Sequence, residues 1–468
     1  MASEPIDRLM ADAEHAADMI RKAKDVLIVA HIDADGITSA AIASKTCERL
    51  GKEYDVLFAN KMDSDTIHTI NTTEKDTVWI VDLGSGYLSD YKRDRIVVSD
   101  HHVPDPKWRR GQLTLDSFQI IEHVNCHTYG MDGSTEACGA TTTYLISKAI
   151  DQSNRDLAYL GVIGACGDLQ DRNEYGLIGV NRIALNDAIT NGDVIAEKDL
   201  RLFGRASRPL VQFIQYSNDP NLDGLTDDSH ACHEFFDDLD IPLTENNVSR
   251  KWLDLSPDEK QKVRDALREH IRPCDEWILI GETYTLPRFP LTGGLRDAKE
   301  FATSLNSCGR YDDAPTGVKI CFGEQSAMAD AERNRAEHRK NISSALQYVK
   351  HNDLIHRRQF IQYFDAGDAI KDTVVGIVAG MILSTEGFNR MMPIIAFAKA
   401  DDGVKVSARA DRSLGERGLD LSIIMNRAAE IVGGYGGGHN VAAGATIPVD
   451  KEDQFLDIVE DIVASQLI

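Results

Sequence analysis

The chain has 468 residues, 42% of them hydrophobic and 27% charged, the composition of a globular protein too long for one ordinary core. Its 51 Lys and Arg against 75 Asp and Glu give a formal charge of −24. That excludes a generic polybasic nucleic-acid binder, but not a nuclease: a catalytic carboxylate cluster is itself acidic, and bound divalent cations reverse the local sign.

Residues Met1 to Lys24 lack an apolar signal core and read as an amphipathic helix, with Ile6, Leu9, Met10, Ala13, Ala17 and Ile20 at three- and four-residue spacing. No apolar run reaches the ~18 residues of a membrane span. A cytoplasmic protein with no membrane partner is expected. From Asp25 the pattern alternates. Apolar strands are predicted at Asp25–His31, Tyr54–Ala59, Thr77–Asp82 and Arg95–Ser99, and helices at Ile37–Leu50, Ala137–Ile150 and Leu157–Cys166. Such alternation predicts an α/β domain on a parallel sheet over residues 1–190. A mixed inserted or bridging region covers 191–350, with charged helices at Pro257–Arg268 and Ala327–Tyr348. A smaller α/β domain covers 351–468, with strands at Arg358–Tyr363, Pro393–Ala398 and Val404–Ala410. Its helices begin near Thr373 and at Ser422, the second running to Val432 and into Gly433-Gly-Tyr-Gly-Gly-Gly-His439.

The first-domain strands end in polar residues: His31-Ile-Asp-Ala-Asp-Gly36, Asp82-Leu-Gly-Ser-Gly86 and Asp100-His-His102. Open α/β sheets bind ligands at the carboxyl ends of their strands. In an extended segment His31, Asp33 and Asp35 share a face, and Gly36 lets the chain turn into a helix. A lone Asp there serves equally well as a helix N-cap. The coincidence with Asp82, Asp100-His101-His102 and Asp168, after the apolar helix ending Gly164-Ala-Cys-Gly-Asp168, is harder to assign to capping. Mixed carboxylate and imidazole donors suit a divalent cation, Mn²⁺ ahead of Mg²⁺.

The eight cysteines, at 47, 126, 138, 166, 232, 274, 308 and 321, form no Cys-x-x-Cys pair and suggest no disulfide framework. His123, Cys126, His127 and Cys138 match no standard zinc spacing and read as a loop near the active site.

His31-Ile-Asp-Ala-Asp-Gly36, Val81-Asp-Leu-Gly84, Asp100-His-His102 and Gly167-Asp168 resemble, in order and spacing, the motifs of the DHH phosphoesterase superfamily. Gly436-Gly-Gly-His439 resembles its associated substrate-binding domain. The resemblance implies two divalent cations: one held by His31, Asp33 and Asp82, the second by Asp35, Asp82, His101 and Asp168, with Asp82 bridging. It also implies that His102 faces the scissile phosphate as hydrogen-bond donor or general acid, with Asp100 orienting a neighbouring imidazole. Ser407 and Arg409 on a strand, with a Gly-His loop of Gly436, Gly437, Gly438 and His439, would bind the substrate end. Leu200–Leu210 and Glu300–Arg310 resemble the RecJ-like exonucleases of archaea, including GINS-associated nucleases, and put Asn306 and Arg310 near the cleft. Arg201, Arg205 and Arg208 either form part of a local basic stripe or pair with the many carboxylates.

The activity implied is a metal-dependent exonuclease specific for single strands, on DNA and also RNA, with 5′→3′ polarity favoured, in archaeal replication or repair. The partners implied are single-stranded nucleic acid and the GINS complex. Alternatives are a 3′→5′ exonuclease, an oligoribonuclease or cyclic-dinucleotide phosphodiesterase, and a non-catalytic replisome scaffold. A pyrophosphatase is disfavoured by the long middle region, and a scaffold by the full set of ligands.

Overall fold

Apolar runs flanked by polar turns build a five-stranded sheet: β1 Asp25–His31, β2 Glu53–Ala59, β3 Thr77–Val81, β4 Arg95–Ser99 and β5 Ile120–Val124. Its order is β2-β1-β3-β4-β5, and every neighbour pair is parallel. The computed structural model describes residues 4–108, 120–217, 219–290, 294–383, 389–400 and 403–467. They form two compact units, Met1–Asn334 and Arg335–Ile468.

Helices α1 Glu4–Lys22, α2 Ala34–Arg49 and α4 Gly139–Ile150 pack on one face of the sheet through Leu9, Ala13, Ile20, Ala40 and Leu145. Helix α3 Ser64–Thr72 covers the other through Ile70. The amphipathic α1 forms as predicted, but Met10 is 41% exposed: it sits about 100° round the helix from Leu9, off the buried stripe. Strand β5 escaped the sequence reading because it is an edge strand whose first three residues are not buried. Helices α5 Ala158–Gly167 and α6 Gly179–Thr190 add an outer apolar layer.

The rest of the first unit comprises β6 Ile195–Leu200, α7 Leu210–Gln215, α8 Ser229–Asp238, a small hairpin of β7 Thr244–Glu245 and β8 Val248–Ser249, α9 Pro257–Leu267, α10 Glu276–Leu279, β9 Ile280–Thr285, α11 Ala298–Arg310 and α12 Ala314–Cys321. Helix α13, Gln325–His351, continues into the second unit. Strands β6 and β9 pair as an antiparallel ribbon. A separate core around Phe213, Phe236 and Trp252 supports the segment that follows β6.

The three arginines here do not make a basic stripe. Arg205 is 2% exposed and pairs with Asp199 at 2.9 Å and Asp297 at 3.0 Å. Arg201 is buried on the carbonyls of Asn173 and Trp277. Arg208 lies over the rings of Phe203 and Tyr216. Burying charge this deeply requires partners, and the nearby carboxylates and carbonyls supply them.

Helix α9 starts with a capping box: Ser256 and Glu259 bond reciprocally, and Glu259 also pairs with Arg250 at 2.8 Å. The Arg250 guanidinium holds the Glu259 carboxyl down to about 2 from 4.5. A depressed carboxyl stabilises the fold above its unfolded pKa, and that contribution disappears as pH falls through the folded value. Glu259→Gln is therefore expected to cost about 1 kcal/mol at pH 6, after allowance for solvent screening. In urea unfolding of both proteins, the gap should close between pH 4.5 and 2.

The second unit contains β10 His356–Arg357, β11 Gln362–Asp365, α14 Asp372–Leu383, β12 Ile394–Ala400, β13 Gly403–Arg409, α15 Arg412–Glu416, α16 Leu421–Val432, β14 Tyr435–Gly438, β15 Ala442–Ile447 and α17 Glu452–Leu467. The six-stranded sheet runs β10-β11-β12-β13-β15-β14, antiparallel except for β11 beside β12. Helix α14 packs on one face, and α16 and α17 on the other. Two expectations are corrected. Arg358–Tyr363 is not one strand but a turn between two, closed by Arg358 N–H donating to the Ile361 carbonyl at 2.9 Å. The glycine run is not a loop: Gly436–Gly438 belong to edge strand β14, paired with β15. Glycine is required there because a side chain on Gly436 would meet the Met425 carbonyl of α16 at 2.6 Å.

No helix among the described residues is long and apolar enough to cross a membrane. All eight cysteines are unpaired.

Candidate metal centre

In strand order 2-1-3-4-5 the connections diverge on either side of β1 and β3, opening a crevice at the carboxyl ends of those strands. His31 closes β1, Asp82 follows β3, and Asp100 to His102 follow β4. Asp33 is the N-cap of α2, where its Oδ1 accepts from Gly36 N–H at 2.9 Å. Its Oδ2 lies 2.9 Å from His31 Nδ1. Asp35, in the first turn of α2, accepts from the N–H groups of Gly139 and Ala140 at 2.5 and 2.8 Å. The N-cap reading is thus realised at Asp33, while Asp35 instead grips the start of α4, and each carboxylate keeps lone pairs for another ligand.

Asp82 differs. It is 1% exposed, and neither oxygen receives a hydrogen bond among the described residues. The nearest donors are His101 Nε2 at 3.3 Å and His31 Nδ1 at 3.6 Å. His101 Nε2 also lies 3.3 Å from Asp168 Oδ2 and 3.9 Å from Asp35 Oδ2. Two groups of potential ligands therefore meet at the crevice: His31, Asp33 and Asp82, and Asp35, His101 and Asp168. A third grouping joins Asp82, Asp100, His101 and His102. The orphaned oxygens and the hard oxygen and nitrogen donors fit divalent cations.

Burial alone would neutralise Asp82, but His101 and His31 override it and hold the carboxyl well below the usual range. Burial pushes Asp35 well up, reinforced by Asp82 and Asp168. Burial opposes the charged form of His31 and His101 too, yet the facing carboxylates raise both well above the usual imidazole value. Protons on these rings balance part of the negative charge that a cation would otherwise balance, so cation binding releases protons.

Asp100 is fully buried with both oxygens engaged. Oδ2 accepts from Ser85 N–H at 2.9 Å, and Oδ1 from His101 N–H at 2.8 Å and the His102 ring at 2.7 Å. Despite burial, His102 holds Asp100 far below the usual range, and Asp100 in turn raises His102. His102 is 58% exposed. With Nδ1 on Asp100, its Nε2 is the nitrogen left for a ligand.

Asn306 and Arg310 lie on α11. Asn306 Oδ1 accepts from Ala34 N–H at 2.8 Å and so holds the loop that carries Asp33 and Asp35. Arg310 is half-buried; burial lowers its pKa and Asp33 partly offsets this. Among the described residues its guanidinium makes no ion pair within 4 Å. The sequence reading missed the glycines that make room for the cluster. A Cβ on Gly139 would lie 2.4 Å from that of Asp82, and one on Gly164 2.4 Å from Asp35 Oδ1. The only signal was small residues at helix starts and in the apolar helix before Asp168. His123, Cys126, His127 and Cys138 form no metal grouping among the described residues; His123 Nε2 instead pairs with Ser85 Oγ at 2.9 Å.

The remaining predicted residues gather in the second unit. Ser407 of β13 and Gly437 of β14 flank Gly444 of β15 in one row of the sheet. Arg409 Nη1 donates to the Ala408 carbonyl at 2.8 Å. Gly376 of α14 lies close over Ser407 and Arg409, where a Cβ would meet Arg409 Nη2 at 2.8 Å. Gly437 has open space beyond its backbone. His439 is exposed, its N–H on the Ala442 carbonyl at 2.8 Å.

Fold and cluster together define an α/β protein with a candidate divalent-cation centre at the strand ends of its parallel sheet. A DHH-CID domain matches residues 202–273, and a DHHA1 domain matches residues 358–465. An uncharacterized protein of Methanocaldococcus jannaschii is 28% identical over 449 residues, 94% of each chain. The single-stranded-DNA-specific exonuclease RecJ of Escherichia coli is 22% identical over 481 residues, 96% of this chain and 67% of that protein. Among solved structures, RecJ of Thermus thermophilus in complex with Mn²⁺ superposes with a TM-score of 0.58 at 16% identity, over 99% of this chain but 55% of that one; this chain spans about half of that longer protein. CDC45 of Entamoeba histolytica superposes with a TM-score of 0.61 at 12% identity, over 99% of both chains. The chain thus carries stretches that match the DHH-CID and DHHA1 domains, and its fold is similar to that of RecJ.

Proposed function

We propose that this protein is a two-cation phosphodiesterase that degrades single-stranded DNA from an end, 5′→3′, with RNA as a second substrate. The observation that carries the reading is Asp82, buried, without a hydrogen bond on either oxygen, and flanked by two groups of ligand-type side chains. On this reading His31, Asp33 and Asp82 hold one cation, and Asp35, Asp82, His101 and Asp168 the other. Mn²⁺ is favoured over Mg²⁺ because each set contains an imidazole. Bound there, two divalent cations supply Lewis-acid stabilisation of phosphate oxygens and make water more acidic.

The chain's own residues do the rest. His102, raised in pKa by Asp100, holds a proton at Nε2 for a phosphate or leaving oxygen, and Asp100 fixes the ring that delivers it. Arg310, whose guanidinium makes no ion pair within 4 Å among the described residues, offers it to a phosphate. In the second unit, Ser407, Arg409, the glycine strand and His439 bind the strand end. The E. coli relative's name, single-stranded-DNA-specific exonuclease, supports this choice of substrate, and the T. thermophilus structures in complex with Mn²⁺ and with Mg²⁺ support divalent cations. Archaeal replication or repair, beside the GINS complex, is the setting that accords with the likeness to CDC45.

That likeness also favours a second reading, a non-catalytic replisome scaffold. One assay separates the two: a single strand labelled at either end is incubated with Mn²⁺ and compared with duplex and with RNA. Label released first from the 5′ end of single strands alone supports the exonuclease. Release from the 3′ end reverses the polarity, and no release beyond a metal-free control leaves the scaffold. Arg409→Ala is expected to raise KM by about tenfold while changing kcat less, since it removes a charged hydrogen bond to bound substrate. Steady-state kinetics on a short oligonucleotide reads the split.

A further inference from the structure

The Asp35–His101–Asp168 side of the centre depends on a side chain outside every ligand set. Gln170 follows Asp168 by two residues and is 2% exposed. Its Nε2 donates to two backbone carbonyls, Gly133 at 3.0 Å and Ala137 at 2.9 Å. The Gly133 carbonyl is also the acceptor for His101 Nδ1, at 2.6 Å. The same short segment then enters α4, whose Gly139 and Ala140 N–H groups grip Asp35. One side chain thus links the turn carrying Asp168 to the segment that orients His101 and holds Asp35.

The amide orientation of Gln170 is fixed. Its Oε1 accepts from Asn181 Nδ2 at 2.6 Å, and Asn181 Oδ1 accepts from Thr141 Oγ at 2.8 Å. Turning the Gln170 amide over would set its oxygen against two carbonyls and its nitrogen against the Asn181 amino group. Asn181 and Thr141 are fully buried, so no solvent offers an alternative partner. Gly133 is equally constrained: a Cβ there would lie 2.0 Å from the His101 carbonyl.

We infer that Gln170 is a positioning residue for the second cation site, acting through the Gly133 carbonyl to aim His101 Nε2 at the carboxylates of Asp35, Asp82 and Asp168. With Nδ1–H committed to Gly133, the ring presents Nε2 to the crevice in one orientation. The inference rests on the two-cation reading above. Among the described residues, His31 and Asp33 receive no hydrogen bond from Gln170, Gly133 or Asn181.

The test is Mn²⁺ titration of the full chain, followed by calorimetry and by electron paramagnetic resonance, in which a coupled Mn²⁺ pair differs from isolated ions. Gln170→Met keeps the volume and removes both donors. It should weaken one of two Mn²⁺ sites by about 10- to 100-fold, the usual effect of an outer partner of a ligand, and replace the coupled spectrum by that of a single ion. Gln170→Glu keeps the acceptor for Asn181 but turns an oxygen on both carbonyls; it should lose the same site at least as strongly. Circular dichroism of the metal-free variants checks that they fold, and a misfolded Gln170→Met leaves the decision to Gln170→Glu. A Gln170→Met protein that binds a coupled pair with wild-type affinity overturns the inference alone, as does loss of both sites together from a folded variant. A wild-type chain that binds no Mn²⁺ pair overturns the two-cation reading and this inference with it.

Discussion

The Asp82→Asn variant is expected to lose Mn²⁺-dependent hydrolysis by more than about a hundredfold, a loss at the upper end of what even an outer partner of a metal ligand controls. Asn is the informative replacement. Asp82 has φ of 60°, a left-handed conformation that Asn tolerates better than Ala, so the variant keeps the backbone and removes the charge. A second readout separates lost binding from lost chemistry. Wild-type protein should gain about 2.7 kcal/mol of stability at a Mn²⁺ concentration one hundred times its Kd. The variant should gain far less, because on the proposed reading both cations share Asp82. Thermal unfolding with and without Mn²⁺ measures this; equal stabilisation of both proteins would remove Asp82 from the site.

Arg205→Ala is expected to be the most destabilising single change away from the metal centre, at about 3–5 kcal/mol. The side chain is 2% exposed between Asp199 and Asp297, and Asp199 also takes Trp252 Nε1 at 2.8 Å and Arg264 at 2.9 Å. Removing the guanidinium leaves Asp297 buried without that partner and takes from Asp199 one of two arginine contacts, both at 2.9 Å. A typical domain has only about 5–15 kcal/mol to lose. Urea unfolding of metal-free protein reads the loss. Arg205→Lys should retain part of it, keeping charge but not the planar fork. A loss below 1 kcal/mol for Ala would show that the network contributes little.

The sequence exposed the first unit better than the second, for a physical reason. Fully enclosed parallel strands such as Asp25–His31 and Arg95–Ser99 are continuous apolar runs, and their polar ends mark the crevice, so the residues from His31 to Asp168 could be read together. β5, half-buried at an edge, gave no such run. The glycine strand Tyr435–Gly438 looked like a loop because glycine carries no strand signal; its pairing with β15 is imposed by tertiary contacts. For Arg201, Arg205 and Arg208 the choice between a surface stripe and pairing with carboxylates stayed open, because spacing along a chain does not report burial. Gln170 was invisible for a similar reason: its role lies in two backbone carbonyls, which no side-chain pattern encodes.

The ligand-type residues come from segments scattered between His31 and Asp168, and Asn306 on α11 braces the first of them. A nascent chain that has left the ribosome only as far as α4 lacks Asp168, and one lacking α11 has an unbraced loop. On the proposed reading, cation capture would report that most of the first unit has been made and folded. A truncated product would then be inert toward nucleic acid, a safeguard inherent in drawing one small centre from so much of the polypeptide.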